Sequence, residues 1–372
     1  MTDDAASPLL VGPRGRRLCL EYARQMSSDV HEPLFWLAHR ADPSPGTLIR
    51  FTSDGDEGDE DAEYEDPDPS TADLVARLRT VDTATIDAAA LRAALQASVD
   101  TAMYWQEPDG TDVIASHPDV IAVLDPIAEL IMASEATRGW DAPRGAEQWA
   151  VDWRSPDDRA PLPSDSRALL TAWSEQRRAE EVRAGLERPA DPYARWSGTW
   201  WSVPTELLLT RGVIADALEL VEDSMGWEEA TIIPVRGSGR TLEIRTDEDW
   251  AQLCRQYPLE VTASTRQDWF RVTGRDGRWL IPDWARVAGG WDAVHLSTLA
   301  YLRCATTLIE IDDEYASVIG GWAPDSTIWL TDGAREWDEP RQHWARPQNA
   351  DEWTRQDGSN GGVTTAANRP RV

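Results

Sequence analysis

Twenty tryptophans stand against three phenylalanines in this chain of 372 residues. An indole ring buries a large area, yet its N–H calls for an acceptor, so Trp favours half-buried sites, interfaces and ligand clefts. Many of these rings must therefore be structural, and any that are left over mark places where the chain meets something else.

Charge is the second constraint. Sixty-six acids against 36 bases give a formal charge of −30. Such a surface repels nucleic-acid phosphate and anionic lipid, both of which need a cationic patch to displace counterions. Direct nucleic-acid binding and membrane binding are not expected, whereas a basic protein partner would be steered in. Every base is Arg and none is Lys, as GC-rich coding would give, and the acid excess also serves solubility. The absence of Lys excludes lysine Schiff bases, lysine general bases and a P-loop lysine.

Apolar residues make up 41% of the chain, enough for a packed core, and the length points to two domains. The most apolar run, Val120 to Met132, is broken by Asp125, Pro126 and Glu129, so no membrane span is expected. The opening Met1-Thr2-Asp3-Asp4 is unlike a secretory leader, which points to the cytoplasm. Cys19, Cys254 and Cys304 lack metal-site spacing and read as small buried hydrophobes. No metal and no cofactor are expected.

Periodicity and punctuation give an α+β class: a mainly helical N-terminal part (1–190) with a small strand element, then a mixed α/β, Trp-rich domain with short strands (195–335) and a polar, partly disordered tail (336–372). A strand at Leu9 to Val11 leads through Gly12-Pro13-Arg14-Gly15 into a helix, and another strand is expected at Thr47 to Phe51. The acidic run 53–70 lacks apolar residues and reads as a disordered loop that misses the EF-hand order. Helices are expected over Thr71 to Arg79, Asp87 to Tyr104, Ser116 to Ser134 and, after Ser164 or Asp165, through Leu186. The stretch from Asp141 to Ser164 reads as irregular. Past the prolines at 189 and 192, strands are expected at Trp196 to Val203, Ala230 to Val235, Thr241 to Ile244, Leu259 to Ala263, Trp269 to Val272, Thr307 to Ile311 and Thr327 to Leu330. Helices fit Val213 to Met225, Asp247 to Gln256 with a Thr246/Asp249 capping box, and Trp291 to Cys304. Gly237-Ser238-Gly239 reads as a hairpin turn.

Four constellations are candidates for chemistry. Arg14, Arg16 and Arg17 form the densest basic cluster, at a strand-to-helix turn suited to an anion. Trp196 and Trp200 share one face of an extended segment, with Trp201 on the other, and offer a platform for a sugar, base or ring. Arg266 and Asp268 close a hydroxyl-rich strand end. His295 lies one turn from Asp292 if both are helical, an acid–base pairing. The nucleophile-elbow, zincin, P-loop and dinucleotide signatures are absent from suitable contexts. The expectation is a cytoplasmic, non-catalytic binding protein whose acidic, Trp-rich surface recognises a basic protein partner or a ring-bearing ligand. The alternatives are an enzyme acting on a small anionic substrate and an acidic nucleic-acid mimic.

Overall fold

The computed structural model describes residues 7–47, 66–154, 161–347, 350 and 352–356; the expected strand 47–51 past its first residue, most of the acidic run and the final dozen residues lie outside these. The N-terminal part is helical. α1 (Pro8–Val11) and α2 (Pro13–Met26) each carry proline in the first turn, where its missing N–H is no loss, and meet at Gly12. The strand expected at Leu9 to Val11 is thus a turn of helix. Its carbonyls are used locally: Arg16 Nη1 donates to Leu10 O at 3.2 Å and to Val11 O at 2.9 Å.

After α3 (His31–Ala41), a reciprocal Ser70/Asp73 capping box opens α4 (Thr71–Leu78), and the Asp87 carboxylate accepts from two N–H groups at the start of α5 (Ala88–Asp100). Where a single helix from Ser116 was expected, Ser116 ends α6 (Gly110–Ala115) and His117 Nδ1 caps α7 (Pro118–Ala133). The charged helix α8 (Ser166–Glu187) starts at Asp165. α2 packs against α1, α5, α6 and α7, and also against α13 (Thr298–Cys304) from the far half of the chain. Among the described residues, no helix is long and apolar enough to cross a membrane.

The larger sheet draws on β1 (Glu147–Asp152), β2 (Leu209–Arg211), β3 (Glu229–Gly237) and β4 (Thr241–Ile244). The smaller sheet takes β5 (Pro258–Glu260), β6 (Arg278–Pro282), β8 (Ile309–Glu310) and β9 (Tyr315–Ser317), while β7 (Ala293–Leu296) belongs to the larger one. β10 (Ser326–Trp329), β11 (Ala334–Glu336), β12 (Gln342–Ala345) and β13 (Thr354–Gln356) complete the larger sheet. Its order is β13-β12-β3-β1-β2-β10-β7-β4, with β11 also on β3, and the smaller is β5-β6-β9-β8. The remaining helices are α9 (Ile214–Glu219), α10 (Asp247–Gln256), α11 (Thr262–Thr273) and α12 (Trp284–Val287).

The class is α+β with a helical N-terminal part. β1 emerges from the stretch read as irregular and sits between β3 and β2. β12 and β13 likewise give the polar tail two strands, and β12 lies along β3 beside β11, which closes the preceding segment. Pro234, which has no N–H to donate, falls between the residues of β3 paired with β12 and those paired with β11.

Four further expectations are corrected. The 196–203 segment forms no strand, because side chains take its backbone groups: Asp268 accepts from Gly198 N at 2.8 Å, and Trp269 Nε1 and Trp284 Nε1 donate to Trp200 O and Ser202 O. Trp269 to Val272 is helical within α11, whose first N–H groups are capped from outside by the Glu181 carboxylate of α8, at 2.7 Å to Ala263 and 2.9 Å to Ser264. The helix expected from Trp291 splits into β7 and α13, because Ala293 to Leu296 is a fully buried strand paired on both sides, with β10 and β4. The turn at Gly237-Ser238-Gly239 joins strands that do not pair: β4 runs parallel to β7. Gly237 makes room for the Trp329 ring, which a Cβ there would meet at 1.9 Å.

Six of the twenty tryptophans lie deep in the interior and many others pack against the core at its edge. Trp250, Trp269, Trp279, Trp284, Trp322 and Trp329 are fully buried. Four of these have acceptors for the indole N–H, including Ser317 Oγ for Trp250 and Thr210 Oγ1 for Trp329, while those of Trp279 and Trp322 find none among the described residues.

The α1–α2 contact gives a prediction whose sign is unusual. Replacing a helix-interior Gly by Ala ordinarily stabilises by about 1 kcal/mol. At Gly15 the new Cβ would lie 1.9 Å from Leu9 O, a backbone atom. Gly15→Ala is therefore expected to lower stability by about 2 kcal/mol in urea denaturation; a gain would show that α1 does not pack there.

Candidate functional site

A cleft of about 330 Å³ opens where the helical part meets the sheet-bearing part. Its walls are the first turn of α2 (Pro13, Arg14, Arg16), the end of α5 with the loop to α6 (Thr101, Met103, Glu107), α6 itself, the end of α11 (Thr273) and Thr306 after α13. The charged side of the cleft is a buried ion network. Arg14 Nη1 donates to Ser98 O at 3.0 Å and Thr101 Oγ1 at 3.1 Å, and Nη2 pairs with Asp112. Arg17 holds Glu21 at 2.8 Å, Asp109 at 3.0 Å and Asp112 at 3.1 Å, and Arg24 takes the other Glu21 oxygen. Burial opposes the Arg17 charge, but its three carboxylates outweigh burial and raise its pKa; burial likewise opposes the Asp109 carboxylate, yet Arg17 holds it below the usual range.

Arg16 differs from its neighbours. Burial lowers its pKa, only partly offset by Asp112, and no carboxylate among the described residues comes within salt-bridge distance. Its Nη1 is spent on α1 carbonyls, while its Nε is buried without a partner. Nε together with Nη2 is the edge by which Arg154, Arg278 and Arg341 grip Asp152, Glu260 and Glu336 elsewhere in this molecule. In Arg16 that fork is unused. Arg14 Nε and Thr306 Oγ1, also on cleft residues, are likewise buried without partners, and Thr306 adopts a φ of 57°. Buried unsatisfied donors are uncommon and costly, so three on one cleft call for an explanation.

The remaining candidates fall elsewhere. His295 is not on a helix and does not meet Asp292, whose oxygens accept from Arg240 N and Thr331 Oγ1. His295 is 1% exposed, with Nδ1 at 2.6 Å from Glu243 and Nε2 at 3.2 Å from Asp325. Burial disfavours its charge, but the hydrogen bonds to Asp325 and Glu243 outweigh that and raise its pKa. Asp268 is buried, raised in pKa by that burial, and paired with Arg271, while Arg266 reaches only Pro189 O at 3.4 Å. Trp196 lies under Arg188, whereas Trp200 stacks on Tyr104 at 5.4 Å and on Trp201 at 4.5 Å, so the three rings form no common platform. Cys254 and Cys304 are pushed up to about 12 by burial, and Cys19 is raised as well.

Sequence reasoning missed Glu222. The residue as a whole is half-buried, but its carboxyl group is enclosed by Tyr104, which donates to it at 2.5 Å, by Tyr301 and by Arg211. The Tyr301 hydroxyl lies beside it without a well-formed hydrogen bond. Burial pushes Glu222 up to about 7 despite these partners. No sequence signal marked it among 66 acids.

Among the described residues, no group of three or more His, Cys, Asp or Glu is placed to hold a metal. Compared with known proteins, the chain matches no family model, no curated protein and no solved structure.

Two pH windows follow. Glu222 binds its proton more tightly folded than unfolded, so stability falls as pH rises from about 4.5 to about 7, by about 3 kcal/mol for a shift of that size. Glu222→Gln is expected to flatten that slope in chemical denaturation measured across pH; an unchanged slope would remove the enclosed carboxyl from the account. For His295, whose pKa is raised, the stabilisation is complete below about 6.5 and is lost as pH climbs through the folded value. His295→Gln should be less stable than the parent at pH 6, with the gap narrowing above neutrality; a gap that is constant with pH would show that the imidazolium is not the stabilising form.

Proposed function

We propose that the protein is a binding protein whose cleft holds a small anion, a carboxylate or phosphate group, on the free fork of Arg16. The observation that carries this reading is that three residues lining one concave site, Arg14, Arg16 and Thr306, each carry a buried donor without a partner among the described residues. A carboxylate or phosphate oxygen pair matches the spacing of Nε and Nη2, as the internal Arg–carboxylate forks do. Binding is favoured over catalysis because Asp109 and Asp112, beside Arg16, are committed to Arg14 and Arg17, while the other acid on the wall, Glu107, is an exposed loop side chain with no orienting partner among the described residues. His295 and the three cysteines lie in the interior. Of the basic cluster that suggested an anion, Arg14 and Arg16 line the cleft, while Arg17 supports the wall from behind. The surface-recognition reading is weaker, since most indoles serve the core.

Thermal unfolding in sodium phosphate, and separately in sodium succinate, against sodium chloride of equal ionic strength, tests the proposal. A ligand at a hundredfold excess over its Kd stabilises by about 2.7 kcal/mol, a rise of about 3 to 4 °C for a chain of this size. The rise should appear with at least one of the two salts, vanish in Arg16→Gln and persist in Arg266→Gln. Equal shifts in both variants, or no shift with either anion, would overturn the reading.

A further inference from the structure

A second, smaller cavity of about 130 Å³ lies beyond the end of α5, between α9 and the tail strands, and has room for about ten water-sized groups. Asp100 lines it while the next residue, Thr101, lines the Arg16 cleft, so the two cavities flank one helix end. Three indoles wall it. Trp153 and Trp227 stack with centroids 4.8 Å apart and planes at 19°, and Trp353 is tilted against Trp153 at 5.9 Å. Leu218 adds an apolar face.

Two uncommitted charges of opposite sign share this aromatic box. Arg346 lies 5.2 Å over the Trp353 ring, and its guanidinium has no hydrogen bond or carboxylate partner among the described residues; its backbone N–H alone is bonded, to Glu228 O. The Trp353 N–H is buried and also without a partner, on a side chain that is 8% exposed. Asp100 accepts only from Ser224 N, at 3.0 Å, and meets no cation, in contrast to its neighbour in the cavity wall, Glu219, which is paired with Arg92.

We propose that this cavity binds a small zwitterion, with its carboxylate on Arg346 and the Trp353 N–H, its ammonium facing Asp100, and its carbon body against the indoles. A plain anion would be repelled by Asp100, and a plain cation would meet Arg346. A molecule carrying both signs satisfies both and fills the unmet Trp353 donor. Indole faces favour an alkylated ammonium, which is weakly hydrated and attracted by the ring quadrupole. The same chemistry is offered by a betaine and by an α-amino acid. The size of the cavity limits either to about ten non-hydrogen atoms.

Isothermal titration of the full chain with glycine betaine, leucine, tetramethylammonium chloride and sodium acetate tests this. At least one zwitterion should bind at least tenfold more tightly than either half-probe, and betaine against leucine separates the two sources. Arg346→Gln and Asp100→Asn, the latter keeping the acceptor for Ser224, should each weaken the zwitterion about tenfold, with melting temperatures reported alongside to confirm folding. Arg16→Gln should leave this affinity unchanged, so the two cavities are judged separately. Flat zwitterion titrations, half-probes that bind as well to the Arg16→Gln chain, in which the first cleft is disabled, or full affinity retained in either cavity variant would overturn the proposal.

Discussion

Arg14 and Arg17 are buried in the same helix, and a guanidinium cannot lose its charge to make that burial cheap. The cost of placing two cations inside is met only if carboxylates and carbonyls come to them. Asp109 and Asp112 are brought in by α6, Glu21 by α2 itself, and Ser98 O by the last turn of α5. Two helices, α5 and α6, are thereby fixed against α2, and α2 also touches α13 of the second half. The cleft is a consequence of the same arrangement. Arg16 forms no ion pair with those acids, spends Nη1 on α1 carbonyls and keeps Nε without a partner among the described residues.

The two compositional extremes meet in one physical device. With Arg as its entire basic set, the chain covers indole faces with planar guanidinium groups: Arg236 over Trp337 at 3.4 Å, Arg240 over Trp291 at 4.6 Å and Arg144 over Trp329 at 4.8 Å. A guanidinium stacks on such a ring and still hydrogen-bonds at its edges, which a compact ammonium does less well. Other indoles are placed by their N–H groups: those of Trp269 and Trp284 donate to the irregular 196–203 segment and help hold it without a strand partner. Tryptophan here works as a backbone-organising donor as much as a hydrophobe.

Elements set by local rules were legible. Asp247–Gln256 follows its Thr246/Asp249 box, α8 follows Asp165, and β4 matches its expected limits. Elements set by distant partners were not. The cap of α11 is Glu181, some eighty positions earlier, so the segment looked like a strand end. β7 is a four-residue, fully buried segment with His295 among apolar residues, too short for its periodicity to separate helix from strand until neighbouring strands are known. The basic cluster at 14–17 was visible, but which of its members was free was not, because that depends on Asp109 and Asp112 from another helix. Glu222 and the Trp153/Trp227/Trp353 box carried no local signal at all, being assembled from separate loops and strands.

By itself the sequence determined the class, the helical first part, the absence of lysine chemistry, and the burial of three inert cysteines, since each follows from residue type and near-neighbour spacing. Tertiary structure alone decided which charges were consumed and which remained. Pairing energies depend on distances of a few ångströms between residues tens or hundreds of positions apart, and spacing along the chain does not encode those distances. Of three adjacent arginines, one was left with an open fork, and that selection was made by the fold.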